Sequence, residues 1–284
     1  MTSDLPLVVS DVNEGQAVLQ ERFQHYGYLH FKKAVADAKC QSLMERFLAI
    51  LDPYITPDSE TSQPHLNGEP FFETDPIWDE VYPKIQSLES FHRFFHEEDI
   101  AQLMRIVCGD DVFVYPMKMA RIGSPKKLGY ETPPHQDAHS HQAGNTMAGI
   151  WVALHDVGDD MGRLKVLPHS HKTGVRRVFE AQGVGGIQCE IFDHEDCWHV
   201  SNVERGDVII FHSCCVHKAE PNTSTSSVRL SIDTRFCDYG VPVWSLNLDP
   251  HHGWRIDGLN WESIYRDWQS TSGQYYWHDY PDVF

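Results

Sequence analysis

Two side chains in the run PPHQDAHSHQAG (133–144), His135 and Asp137, have the types and the spacing to hold a metal ion. Residues i and i+2 of an extended chain project to the same side, so an imidazole and a carboxylate converge on one point. A mixed nitrogen and oxygen pair suits a borderline ion such as Fe(II). A third ligand must come from elsewhere, and the segment GDVIIFHSCCVHKAEPNTSTSSVRLSIDTRF (206–236) offers His212 and His217. Two histidines and one carboxylate on one face of an octahedral ion leave three open positions. Those positions accept the two oxygens of a 2-oxo acid and one O2. Arg229, twelve residues beyond His217, can hold the far carboxylate of that acid through a forked ion pair.

Eighteen of the 284 residues are histidine. His139 and His141 read as alternative ligands, as substrate-facing residues or as loop histidines exposed to solvent, and His169 and His171, in LPHSHK, suit a structural turn. The cations Arg121, Lys118 and Arg163 read as surface charge, with an anionic substrate as the rarer use.

The elements that must position these residues are read from periodicity. Residues 14–32 predict a helix running into a strand, and 36–51, 79–93 and 97–107 predict three more helices. The stretch 53–77, rich in Pro, Thr, Ser and Glu, reads as a loop. Strand-like runs follow at 112–122, 146–154, 163–168, 206–212 and 228–236, with loops at 123–134 and around His217. Short strands broken by Gly/Pro turns predict a sandwich or barrel core with helices buttressing one face. The tail, 241–284, carries Trp244, Trp254, Trp261, Trp268 and Trp277. Those rings suit a packed flap, a dimer contact, a substrate wall or an aromatic cage for a cation.

A net charge of −18 disfavours nucleic acid and anionic membranes as partners. Seven cysteines without a CxxC pair predict reduced thiols rather than a disulfide framework or zinc knuckle. No apolar run is long enough for a membrane helix, and the N-terminus lacks the pattern of a secretory signal. A cytoplasmic protein is expected.

The HQD triplet, the following Trp151, LPHSHK, the Gly206–Asp207 pair, the distal His217–Arg229 pair and the N-terminal GYLHFKK together resemble the phytanoyl-CoA dioxygenase family. The resemblance covers about residues 20–236. It implies a double-stranded β-helix, a jelly-roll (cupin-like) core with flanking helices in an α+β chain. One oxygenase domain over 1–284 is expected, helical to about 108, jelly-roll over 110–237, with the aromatic tail from 238. It implies Fe(II), 2-oxoglutarate and O2 as cofactors, His135, Asp137 and His217 as iron ligands, and Arg229 as the partner of the 2-oxoglutarate C5 carboxylate. Gln136 and Trp151 match positions near the co-substrate. Met117 and Lys118 are candidates for lining its pocket, and Ser231, two residues from Arg229, for sharing its carboxylate. His217 is preferred over His212, which matches a non-ligand position. A carboxylate at 137 favours hydroxylation or another oxidation over halogenation.

The expected function is oxidation of an unactivated C–H bond of a small-molecule metabolite, with 2-oxoglutarate converted to succinate and no separate acid or base. A small polar metabolite or a natural-product intermediate is the expected substrate. The alternatives are a cupin-like oxygenase that dispenses with 2-oxoglutarate and a non-catalytic binder on the same barrel.

Overall fold

The computed structural model describes residues 4–73, 75–126, 129–251, 256 and 258–284. Trp254 and His252 of the tail lie outside them. The N-terminal half supplies the helices α1 (Gln16–Tyr26), α2 (Asp37–Leu51), α3 (Pro76–Gln86), α4 (Glu89–Phe94) and α5 (Glu98–Cys108). Strands β1 (Val9–Ser10) and β2 (Tyr28–Phe31) lie among them, as do β3 (Ile55–Pro57) and β4 (Pro64–Leu66). Gly27 ends α1 in the left-handed region, at φ 82°. A Cβ there would collide with the His171 ring, so only glycine makes this turn into β2.

The helix expected over 79–93 is two helices. The Gln86 carbonyl accepts from His92 Nε2 at 2.8 Å, which replaces the next-turn amide and interrupts the helix at Ser87–Leu88. The loop expected over 53–77 contains the β3–β4 hairpin and the start of α3. This hairpin is tied to the chain just before Arg229: Leu66 N donates to Ser226 O at 2.8 Å and Val228 N to Pro64 O at 2.9 Å.

The remaining strands are β5 (Val112–Gly123), β6 (Met147–Ala153), β7 (Leu164–Val166), β8 (Val178–Glu180), β9 (Ile187–Cys189), β10 (Val208–His212), β11 (His217–Ala219) and β12 (Arg229–Asp238). Six strands form one sheet in the order β1-β2-β10-β6-β12-β5, antiparallel except for β1 against β2. A smaller layer comprises the β7–β11 and β8–β9 pairs, with bridges at His135–His217 and Val166–His199. The architecture is a jelly-roll of the cupin type with helices packed on the large sheet.

Alternation sorts each strand of that sheet into two faces. Ala120, Ile122, Ile150, Val152, Ile210, Leu230, Ile232 and Phe236 join the helices in the main apolar core. The opposite face of β12 carries Arg229, Ser231, Asp233 and Arg235, all buried. The apolar layer anchors the sheet, and a polar barrel interior lies on its other side.

The tail packs on its own cluster, with Tyr265, Trp277 and Tyr280 against Phe113 and Tyr115 of β5. It includes a short helix, Trp261–Tyr265. Among the described residues no helix is long and apolar enough to cross a membrane.

Candidate metal centre and co-substrate pocket

Asp137 opens a one-turn helix, Asp137–Ser140, directly after extended Gln136. His217 opens β11 rather than lying in a loop, because its amide and carbonyl exchange hydrogen bonds with His135. That bridge sets the two imidazoles side by side, with ring centroids 4.1 Å apart. One ligand atom from each of His135, Asp137 and His217 lies within 4.8 Å of the others. His212 is elsewhere, beside Phe23 and His171, and its Nδ1 accepts the Cys214 amide at 3.0 Å.

The donor set fits a divalent metal. His135 Nδ1 lies 2.8 Å from the Pro133 carbonyl and His217 Nδ1 lies 3.0 Å from the Cys215 carbonyl. A carbonyl only accepts, so each Nδ1 carries the proton and each Nε2 presents its lone pair. Burial, together with neighbouring His135, pushes His217 down to about 3. Burial also lowers His135, so both rings are neutral near pH 7. Burial alone would raise Asp137, but Arg235 and the three nearby histidines hold it well below the usual carboxylate range.

Two cavities meet at this point. One lies between the triad and Arg229 and is lined by Trp151, Leu164, Phe211 and Lys218. Arg229 is buried. Its Nη1 donates to the Gly162 carbonyl, while its Nε has no hydrogen-bond partner, and no described carboxylate pairs with it. Burial and the neighbouring Arg121 push it down to about 10. A cation held in this way fits an incoming carboxylate. Trp151 lines the same cavity, and its Nε1 donates to Ser231 Oγ at 3.0 Å; Ser231 itself lines neither cavity.

The second cavity opens over His135 and Asp137, with Glu73, Met119, Ser140 and His141 in its wall. It continues into a cleft lined by Phe72, Trp78, Tyr82 and Tyr130.

Several expected pocket residues lie elsewhere. Gln136 is buried but turned to the loop behind the triad: its amide donates to Gly174 O and Cys214 O and accepts from Arg176 N. Met117 is buried and lines neither cavity. Lys118 projects to the opposite face of β5, where its Nζ contacts Tyr115 O, Pro116 O and the Tyr276 hydroxyl at 2.8, 3.3 and 3.3 Å. It is not surface charge either: it is fully buried, and burial pushes it down to about 7. Arg163 is tied up by Glu220 at 2.7 Å. His139 lines neither cavity, whereas His141 does line the outer one. His169 and His171 pin their turn to α1 through the carbonyls of His25 and Gln24.

One group of residues escapes a reading of the sequence. Arg121, expected at the surface, joins Asp233, Arg235 and Asp137 in an alternating chain of charges. Arg121 Nε lies 2.6 Å from Asp233 Oδ1, Arg235 Nη1 lies 2.5 Å from Asp233 Oδ2, and Arg235 Nη2 donates to Asp137 Oδ1 at 2.9 Å. A signal for it is present in RLSIDTRF, where Asp233 and Arg235 share the strand parity of Arg229.

A jelly-roll with two histidines and a carboxylate at its mouth, beside a buried unpaired arginine, defines the 2-oxo-acid-dependent non-haem iron oxygenases as a class. The model of the phytanoyl-CoA dioxygenase family matches residues 23–230; the chain belongs to that family and is an Fe(II)- and 2-oxoglutarate-dependent dioxygenase. It is 25% identical over 236 residues to 1-deoxypentalenic acid 11-beta-hydroxylase of Streptomyces exfoliatus, covering 78% of this chain and 81% of that one. It is 25% identical over 248 residues to phytanoyl-CoA dioxygenase domain-containing protein 1 of Danio rerio, covering 73% and 85%. In fold it is similar to the epimerase SnoN, solved with Fe3+, alpha-ketoglutarate and nogalamycin RO. There the TM-score is 0.59 at 18% identity, over 81% of this chain and 86% of that one. EvdO2 from Micromonospora carbonacea var. aurantiaca, solved with 2-oxoglutarate, gives a TM-score of 0.55 at 14% identity, over 83% and 94%.

Proposed function

We propose that the protein hydroxylates, or otherwise oxidises, an unactivated C–H bond of a small-molecule metabolite while 2-oxoglutarate is converted to succinate and CO2. The observation that carries this reading is Arg229, a buried cation with no carboxylate partner among the described residues, placed across one cavity from His135 and His217. Fe(II) with 2-oxoglutarate and O2 supplies an oxidant able to attack such a bond. The chain's own residues do the rest. His135, Asp137 and His217 would hold the metal. Arg229 takes the C5 carboxylate, and Trp151, fixed by Ser231, walls the co-substrate in. The outer cavity, lined by His135 and Asp137, would hold the substrate so that one C–H bond is presented and water is displaced.

The aromatic lining of the cleft into which that cavity continues, Phe72, Trp78, Tyr82 and Tyr130, supports a substrate with an apolar body. Glu73 and Glu131 also line this cleft and form no ion pair with a described residue, which favours hydrogen-bond donors or an amine on the substrate. The Streptomyces relative is a hydroxylase of 1-deoxypentalenic acid, and a natural-product intermediate is our reading here. The seven cysteines are all free, which supports a reducing compartment such as the cytosol. We read the described chain as one oxygenase unit.

Anaerobic titration of the Fe(II)-loaded protein with 2-oxoglutarate tests the reading. A weak visible charge-transfer band that saturates, and that is absent in Asp137→Ala, is the expected outcome. Iron bound without any band would remove 2-oxoglutarate from the account.

A further inference from the structure

We infer that Arg235 is a positioning residue that makes Asp137 a one-oxygen ligand and so keeps three metal positions open. The inference rests on the iron and 2-oxoglutarate reading above and concerns how this chain sets up that site.

The two oxygens of Asp137 have different surroundings. Oδ1 faces the histidines, 3.9 Å from His135 Nε2, and accepts one hydrogen bond from Arg235 Nη2 at 2.9 Å. An ionised carboxylate oxygen has capacity for a metal as well as one such donor. Oδ2 is turned away. Arg235 Nε sits 2.6 Å from it, a charge contact rather than an aligned hydrogen bond, since both atoms lack a hydrogen-bond partner by geometry. On its other side is Gly149. A Cβ at that position would stand 3.1 Å from Oδ2 and would collide with the Phe211 ring. The carboxylate is thus clamped between a guanidinium and bare backbone, with one oxygen offered and one withheld.

Arg235 is itself held in place. Asp233 fixes its Nη1 at 2.5 Å, Arg121 fixes Asp233, and the Arg235 guanidinium lies 5.9 Å from the centre of the Phe211 ring. That ring packs against His217, with centroids 4.2 Å apart. The same set of contacts therefore orients two of the three ligands. If Asp137 bound through both oxygens it would take four positions with the histidines and leave two. A chelating 2-oxo acid would fill those, with none left for O2.

Three proteins test this: the wild type, Arg235→Leu and Arg235→Lys, each first shown to be folded by circular dichroism. Co(II) affinity is measured by calorimetry, and 2-oxoglutarate binding by the charge-transfer titration of the Fe(II) form. Loss of a group that orients a ligand weakens metal binding by roughly 10- to 100-fold. That is the expectation for Arg235→Leu, with Arg235→Lys recovering part of the loss. Arg235→Leu within twofold of wild type in both titrations overturns the inference. The crystal structure of the Co(II)-loaded wild type decides independently of any variant. One Asp137 oxygen on the metal, with Arg235 still on the carboxylate, supports it; both oxygens on the metal, or Arg235 swung away, overturns it. Wild type that binds Co(II) normally but shows no charge-transfer band refutes the 2-oxoglutarate reading alone, because the affinity and the crystal structure report on Arg235 without it.

Discussion

Arg229 on β12 and Lys118 on β5 are buried cations on paired strands of one sheet, yet the barrel interior and the tail lobe treat them in opposite ways. Neither has a carboxylate partner among the described residues. Around Lys118 the chain supplies three oxygens, one for each ammonium proton, and Tyr276 in turn donates to Val114 O at 2.7 Å. Around Arg229 it supplies one carbonyl and leaves Nε unmet beside a cavity. A buried charge whose donors are satisfied is part of the structure, while one left partly unsatisfied next to open space is a place for a ligand.

The largest effect should come from Arg229. Removing one member of a buried charge pair costs about 2–5 kcal/mol. Arg229→Ala should therefore raise the 2-oxoglutarate concentration needed for half-saturation of the charge-transfer band by roughly thirtyfold or more. The apo protein should lose little stability, since the arginine has no carboxylate partner there. An Arg229→Ala protein that is strongly destabilised yet binds 2-oxoglutarate normally would erase the contrast between the two regions.

Lys118 should show itself in stability rather than binding. Its folded value is about 7 against an ordinary 10.5. Between those values the unfolded chain binds the proton and the folded chain does not, so stability rises with pH across that window. A tenfold change in proton affinity corresponds to about 1.4 kcal/mol, and the rise should amount to a few kcal/mol at most. Urea unfolding of wild type from pH 7 to 10 should show it, and Lys118→Met should lack that component. Parallel pH profiles for the two proteins would mean that the lysine stays charged in its oxygen cage.

A smaller effect is expected at Trp151. Trp151→Phe keeps the wall of the pocket and removes one neutral hydrogen bond to Ser231, worth about 1 kcal/mol. A several-fold weakening of 2-oxoglutarate binding is the expected result, read from the same titration. A loss as large as that of Arg229→Ala would give the indole a direct role at the co-substrate. The smallest change belongs to His139→Ala, which should leave Co(II) affinity unaltered, because that ring lines neither cavity.

How far each feature is legible in the sequence depends on how local its signal is. His135 and Asp137 are two residues apart, and their shared direction can be read from any extended segment. His217 and Arg229 open two separate strands, β11 and β12, but both lie in one segment marked by its leading Gly206–Asp207 and by their twelve-residue spacing. Met117 and Lys118 cannot both line one pocket, because neighbours on a strand face opposite sides. The residues of β5 that reach the cavities are Met119 and Arg121. Arg121 reads as surface charge because nothing in its own neighbourhood reveals Asp233, more than a hundred residues away in sequence. The resemblance puts Gln136 near the co-substrate, whereas the loop it braces, 174–176, is likewise distant in sequence. The β3–β4 hairpin leaves no trace because its strands are three residues long, too short for a periodic pattern to register.

That hairpin ties the walls of the two cavities together. It is hydrogen-bonded to residues 226–228, immediately before Arg229, and the chain leaving it leads to Phe72 and Glu73 in the wall of the outer cavity. Ser124 Oγ holds the Phe71 carbonyl at 2.9 Å, so this wall and the arginine that takes the co-substrate stand on a common base. Any coupling carried between the two cavities by this base would act in both directions. Whatever factor 2-oxoglutarate adds to the affinity of a molecule resting on Phe72, that molecule returns to 2-oxoglutarate in equal measure.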